Sequence, residues 1–305
     1  MPSKKKGYLL VVIAALLWGT IGIQVKNLLN YQLSVQVIVL WRMVFAFITM
    51  FTYIFLTNKS LLKIDWGGLL YISLIGLFSQ FFFNLLYFSA IERTSVATAV
   101  TLLYTSPIFI SLMAKIFYQE RFGLAKTLAL ILCISGCYLT ATGGSWKTLQ
   151  LNSSGMLMGL GSGFTFALLT ILSKAIVNKY HSFTIIIYSI GSGLFFYLFF
   201  SKPGEIFLLH PGIHLWLWLF LLGLISTTIA YGLYITGLSY GIEVSKAGII
   251  STLELVVGVI LSYLIFKENL NKWKCLGILM VIWSVLMIQI NEFFPFRFPL
   301  SKVEK

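Results

Sequence analysis

Charge is what this 305-residue chain most lacks: Asp, Glu, Lys and Arg together make 10% of it. A soluble domain carries about 25%, so these residues cannot cover a water-exposed surface. Acidic residues are scarcer still, nine against 22 Lys and Arg, and Asp65 is the sole aspartate. An intramembrane aspartyl enzyme therefore has nothing to work with. Three histidines (His181, His210, His214) sit in or near polar breaks, away from Cys133, Cys137 and Cys275, so no metal-ligand spacing forms. The cysteines read as small packing residues in apolar runs. No GxxxxGK[ST], GxSxG or HExxH occurs, which argues against ATP drive and against the commonest hydrolases. No cofactor is expected.

What is present is apolar: 59% of residues, spread along the whole length. Runs long enough to cross a bilayer occur near 7–25, 35–56, 66–90, 95–117, 124–142, 155–173, 183–201, 213–238, 243–266 and 273–290. The expected fold is an all-α polytopic membrane protein with ten transmembrane helices. Turn-rich and charged breaks separate the runs, as in NKSLLKID (58–65), TGGSWKTLQLNSSG (142–155), SKPGE (201–205) and HPG (210–212). The first run follows three lysines and continues to about Val25 with no small-residue cleavage pattern. It reads as a membrane helix left in place rather than a leader. The net charge of +13 fits basic cytoplasmic loops better than nucleic-acid binding. With the N-terminus inside, inner segments hold more Lys and Arg than outer ones, including Lys4, Lys5, Lys6, Lys59, Lys63 and Arg121, then Arg297, Lys302 and Lys305 in the tail. Both termini are expected in the cytoplasm, with the protein in a bacterial cytoplasmic membrane.

The halves resemble one another. A shift of 148 carries Gly7 to Gly155, Lys26 to Lys174, Ser34 to Ser182 and Glu120 to Glu268. Five spans per half is an odd number, so the second half enters from the opposite face. That is an inverted repeat, with a solute site expected near the midplane between residues 1–148 and 149–305.

Polar residues inside the runs are the candidates. Glu254, in STLELVVG, lies near mid-depth, where a charge costs at least about 2.5–3.5 kcal/mol. It is a solute-amine or proton site, or a carboxyl that glues helices. Arg42 stands alone in LWRMV and either binds an anionic group in the cavity, pairs with a carboxylate or snorkels past Trp41. Ser106 and Pro107 suggest a break or flexible point in the fourth span. Gln80, Asn84 and Tyr87 share one helix face; Thr227, Tyr231 and Tyr234 share the corresponding one. With Trp18 and Tyr104 they form a candidate pocket lining, against the alternative that they pack or face lipid. Gly155, Gly159 and Gly163 make a small-residue stripe for close packing. Lys246 reads as the i,i+3 partner of Glu243, and Glu120 and Glu268 as loop-ordering residues at helix ends.

Three stretches carry a family resemblance: AALLWGTIGIQVK (14–26), YFSAIERTSVATAVTLLYTSPIFISLMAKIFYQER (87–121) and ITGLSYGIEVSKAGIISTLELVVGVILSYLIFKEN (235–269). The chain resembles the EamA-like family of the drug/metabolite transporter superfamily over about 7–290. Trp18 and Gly19 match the first-helix signature, Pro107 and Glu120 the first-repeat stretch, and Glu254 and Glu268 the second. Leu255 departs, standing where the family usually has proline, which suggests a softer break in the ninth helix. The resemblance implies ten helices in two inverted five-helix repeats. It also implies a secondary transporter of a small organic metabolite, amino acid-like or amphipathic, export being the favoured direction and protons a candidate coupling ion. A monomer or homodimer in contact with lipid is expected. The other classes weighed are a non-transporting structural or sensory membrane protein and an intramembrane enzyme.

Overall fold

The computed structural model describes residues 4–208, 210 and 212–293, with side chains to residue 289. Arg297, Lys302 and Lys305, the tail that contributes to the inner charge, and Pro211 of the HPG break lie outside the described residues. Every regular element among the described residues is helical. In chain order the long helices are α1 (Lys4–Leu29), α2 (Val35–Thr57), α3 (Trp66–Arg93), α4 (Val96–Phe117), α5 (Leu124–Thr142), α6 (Ser153–Ile176), α7 (Ser182–Leu198), α8 (Ile213–Ser239), α9 (Val244–Phe266) and α10 (Lys272–Phe293). Among the described residues nine are long and apolar enough to cross a membrane; α7 is apolar but has 17 residues. Ten full-length spans are therefore not reached by length. Large apolar side chains such as Leu56, Ile116 and Leu157 are exposed on the outer surface. In water that would drive aggregation; in a bilayer it is the lipid-facing side.

Packing between helices is reciprocal. α1 lies on α8 and α9, as α6 lies on α3 and α4; α2 packs on α8 and α7, as α7 packs on α3 and α2; α5 packs on α10, and α4 on α9. The α5–α10 contact is a backbone-to-backbone approach. A Cβ at Gly277 would fall 2.7 Å from the Gly136 carbonyl oxygen, and one at Gly136 would fall 2.9 Å from that of Gly277. Small residues allow helices to approach this closely in lipid, where no hydrophobic force joins them. The α6 glycine stripe does the same against α4: Gly159 and Gly163 face Leu102 and Leu103.

Three helices are interrupted near mid-length, and each interruption has the same local chemistry. In α1 the break falls at Gly19–Thr20, in α4 at Tyr104–Thr105, and in α9 at Thr252. At each, a threonine hydroxyl donates to the carbonyl three residues earlier: Thr20 to Leu17 (2.7 Å), Thr105 to Leu102 (2.6 Å), Thr252 to Ile249 (2.7 Å). Such bonds compete with the helical ladder and bend it. Ser106 and Pro107 begin the second half of α4, so the break lies just before them, where proline's missing N–H is harmless. Leu255 corresponds to Pro107 under the 148-residue shift, yet α9 breaks at the equivalent place. Without the proline, α9 is still interrupted, over one residue rather than the two of α4, with the Thr252 hydroxyl bond beside it. α3 and α8 are interrupted differently, by one π-helical stretch each, Leu77–Phe82 and Leu224–Ile229. Both follow a glycine, Gly76 and Gly223, packed against α7 and α2 respectively. π-Bulges often accompany functional sites.

Candidate functional site

A cavity of about 340 Å³ opens where these interruptions meet. Its lining comes from α1 (Trp18, Gly19, Gly22), α2 (Arg42), α3 (Asn84, Tyr87), α4 (Leu103, Tyr104) and α9 (Glu254, Gly258, Ser262). The volume lies at the lower end of the range for small-molecule sites, about 300–1,000 Å³. Three larger clefts, about 580, 460 and 380 Å³, lie elsewhere and are lined mainly by apolar side chains, such as Phe47, Phe51 and Phe195, or Met50, Phe183 and Leu233, or Leu9, Leu253 and Ile282. Among the described residues, the 340 Å³ cavity brings together a cation (Arg42), an anion (Glu254) and an amide (Asn84).

Each charged group is placed by its helix interruption. Glu254 stands two residues after the Thr252 break and lines the cavity together with Tyr104 at the α4 break. Arg42 is buried on α2. One guanidinium nitrogen donates to Asn84 Oδ1 at 3.2 Å, and Nε has no partner. Asn84 is held in turn by donating to the Gln80 carbonyl at 2.5 Å, within α3. Beside Arg42, the buried Gln80 amide leaves both its oxygen and its nitrogen unsatisfied, as does the Trp18 indole N–H. Unpartnered buried polar groups normally cost about 1–3 kcal/mol each. Arg42 and Trp18 line the cavity, so their free N–H groups are ones a polar ligand or water would satisfy; Gln80 lies off the lining. Among the described residues, neither Arg42 nor Glu254 has an ion-pair partner.

Trp18 forms the aromatic wall, 3% exposed, with ring centroids 5.1 Å from both Tyr231 and Tyr234 and 6.0 Å from Phe166. Tyr87 stacks on Phe83, 5.9 Å apart and 3° from parallel. The two α8 tyrosines depart from the expectation that they line the pocket. Tyr234 is fully buried behind Trp18, its hydroxyl paired with Thr170 at 2.7 Å, and Tyr231 supports the same indole edge-on. Tyr234 thus lies behind the wall, whereas Tyr231 stands near Arg42 without joining the lining. Ser106 and Pro107 are buried at the α4 break and also stay off the lining. The other expected lining residues, Trp18, Arg42, Asn84, Tyr87, Tyr104 and Glu254, share the one cavity. Among the described residues no cluster of three His, Cys, Asp or Glu is placed to hold a metal ion. Cys133 packs its sulfur on the Thr252 hydroxyl at 3.3 Å, behind the α9 break.

The cavity runs from Glu254 toward Ser262 and the exposed Val96, the face at which α1 and α9 end and α4 begins. The other face, at which α1 begins, carries a polar network that includes the expected Lys246–Glu243 pair and joins it to Glu120 and Lys126. Glu120 follows α4 and accepts from the Val244 N–H at 2.6 Å, the Ser245 N–H at 3.4 Å and the Ser245 hydroxyl, capping α9. Lys126 on α5 bridges Glu120 (3.3 Å) and Glu243 (2.5 Å), and Lys246 also pairs with Glu243 (3.2 Å). Burial pushes the Glu243 carboxyl up, but the two ammonium groups outweigh it and hold it below the usual carboxylate range. Glu243 is therefore ionised at neutral pH. Lys174 on α6 adds bonds to the carbonyls of Leu238 (2.9 Å) and Ile242 (3.1 Å). The available signal was Glu120 standing opposite the basic Lys126 and the start of α9, but only the fold brings them together.

Comparison with known proteins decides the family. The description "EamA-like transporter family" matches residues 5–142 and again 153–290. The chain belongs to the EamA-like transporter family. It is 28% identical over 299 residues to "Uncharacterized inner membrane transporter YicL" of Salmonella typhimurium, covering 96% of this chain and 98% of that one. It is 27% identical over 285 residues to an "Uncharacterized transporter" of Archaeoglobus fulgidus, covering 91% and 94%. A solved crystal structure superposes with a TM-score of 0.80 over 94% of this chain and 98% of the other; at 15% identity that likeness concerns the fold alone. As an EamA-like protein with two matched repeats and many apolar helices, the chain is a membrane protein with a general transporter role. Its relatives are named as transporters rather than enzymes.

Proposed function

We propose that this EamA-like protein is a secondary transporter moving a small amino acid-like or amphipathic metabolite by alternating access. The observation that carries the reading is the pairing of Arg42 and Glu254, each without an ion-pair partner, in one cavity at the helix interruptions. A solute carboxylate satisfies the vacant Arg42 Nε, and a solute ammonium sits between Glu254, Tyr104 and the Trp18 face. Glu254 is the group that carries a proton when no cation is bound, which makes protons the coupling ion. Export is the favoured direction. Residues 1–148 and 149–305 act as inverted five-helix repeats, with α7, packed on α2 and α3, as the tenth span, both termini in the cytoplasm and the protein in a bacterial cytoplasmic membrane. The reciprocal packing and the paired interruptions support this arrangement.

The experiment is a comparison of metabolites inside and outside cells carrying the protein or an empty vector. The expected outcome is redistribution of one or a few small molecules bearing both an amine and an acid. Redistribution confined to molecules without either charge would sink the assignment of Arg42 and Glu254 as the solute's partners.

A further inference from the structure

The Glu120 cap on one face has a structural twin on the other, engaged differently. Under the 148-residue shift Glu120 corresponds to Glu268, Gln119 to Lys267, Ala114 to Ser262, Val244 to Val96 and Ser245 to Ala97. The ends of α4 and α9 are built alike. Gln119 and Lys267 both adopt left-handed backbone (φ 52° and 53°), and the N–H of each following glutamate donates to the carbonyl six residues back: Glu120 to Ala114 (3.2 Å), Glu268 to Ser262 (3.5 Å). Each bond spans one residue more than the usual 6→1 helix-ending bond, and each glutamate follows its left-handed residue directly beyond the helix end.

Their engagement differs. Glu120 is buried and caps the amides of Val244 and Ser245. Glu268 is 47% exposed and pairs with Lys26 at 2.7 Å. The amides equivalent to those of Val244 and Ser245 belong to Val96 and Ala97, at the start of α4. Among the described residues they receive no side-chain acceptor, and Val96 stands exposed at the cavity mouth. A helix N-terminus favours a carboxylate both by its unpaired N–H groups and by its dipole.

We infer that Glu120 and Glu268 are alternating latches. Glu120 capping α9 closes the face at which α1 begins, as in this structure. In the opposite state Glu268 leaves Lys26 and caps Val96 and Ala97, closing the cavity mouth while Glu120 releases α9. Each state thus satisfies one helix N-terminus with a buried carboxylate and leaves the other glutamate in water, so the two states are close in free energy, as exchange between them requires. Neither latch touches the solute, and they set which face is open. The inference rests on the alternating-access reading, but its test needs no solute.

The test is cysteine accessibility to a membrane-impermeant maleimide in inside-out and right-side-out vesicles, in a Cys275→Ser background whose remaining cysteines are buried. Ser262→Cys reports the cavity on the open side; Ala114→Cys, fully buried here, reports its twin beneath the closed latch. Glu120→Gln should raise the labelling rate of Ala114→Cys and lower that of Ser262→Cys, each by about tenfold, the effect of one charged-group hydrogen bond. Adding Glu268→Gln should bring both rates back toward the parent. If Glu120→Gln does not reach the membrane, Ser245→Ala removes a donor from the same carboxylate and should shift the rates the same way. The inference is overturned if the Glu120 or Ser245 variant leaves Ala114→Cys unlabelled, or if Glu268→Gln leaves the shifted rates where they were. A failure to find any solute in the metabolite comparison would count against the transport reading and leave these rates unaffected.

Discussion

Replacing Arg42 with methionine is expected to abolish transport while leaving the protein at least as stable as wild type. The two halves of this result have one cause. Arg42 is buried, makes a single hydrogen bond to Asn84 and has no carboxylate within ion-pair distance among the described residues. Taking a guanidinium out of water without a counter-charge costs several kcal/mol, and an apolar side chain of similar length removes that cost. If Arg42 is kept for the solute, its loss removes a buried charge pair in the loaded protein, about 2–5 kcal/mol of binding. At the upper end that is a factor of more than a thousand. The measurement pairs solute flux at matched membrane levels with the melting midpoint in detergent. A clear fall in melting midpoint with flux retained would make Arg42 a structural residue.

The second large effect is structural. Gly277→Leu is expected to prevent α10 from seating on α5. A Cβ at this position would meet the Thr140 backbone nitrogen at 2.6 Å and the Gly136 carbonyl oxygen at 2.7 Å. These are backbone atoms, which cannot rotate away, so the helices must separate along the contact. Overpacking of a well-packed core costs about 1–3 kcal/mol; leucine adds four carbons against fixed backbone, so the upper end or beyond applies. The expected outcome is loss of the monodisperse species on size exclusion, or a drop of several degrees in melting midpoint. Gly123→Ala is the control, since nothing lies within 4 Å of a Cβ there. Equal behaviour of the two variants would mean that α5 and α10 do not meet at Gly136 and Gly277.

The parts of this architecture legible in the sequence were those written as local patterns. Apolar runs marked the helices within a few residues, because crossing a bilayer demands a minimum length of hydrocarbon-compatible chain. α7 was over-read: the run continues through Phe199 and Phe200 to Ser201, but the regular helix ends at Leu198. The lone charges Arg42 and Glu254 pointed to the cavity, because an ionised group is too costly in hydrocarbon to lie there without purpose. What stayed hidden depended on pairs of distant residues or on backbone choice. The α9 break has no proline to announce it, Leu255 standing in that place, and a single threonine such as Thr252 is no local signal of a break. The π-helical stretches have no residue signature beyond the preceding Gly76 and Gly223. Tyr231 and Tyr234 share a face with helical spacing, as expected, but which way that face points depends on where α1 lies. The Glu120–Lys126–Glu243 network joins residues more than a hundred positions apart, and no local pattern announces it.

The central claim is that Glu254, at the α9 break, meets the solute in the cavity it shares with Arg42. The most direct measurement takes the metabolite that redistributes in cells carrying the wild-type protein and follows it in cells carrying Glu254→Gln at matched membrane levels. The account predicts that the variant behaves like the empty vector, because the amide keeps the shape of the side chain and removes both its charge and its exchangeable proton. Wild-type redistribution by the Glu254→Gln variant would contradict it.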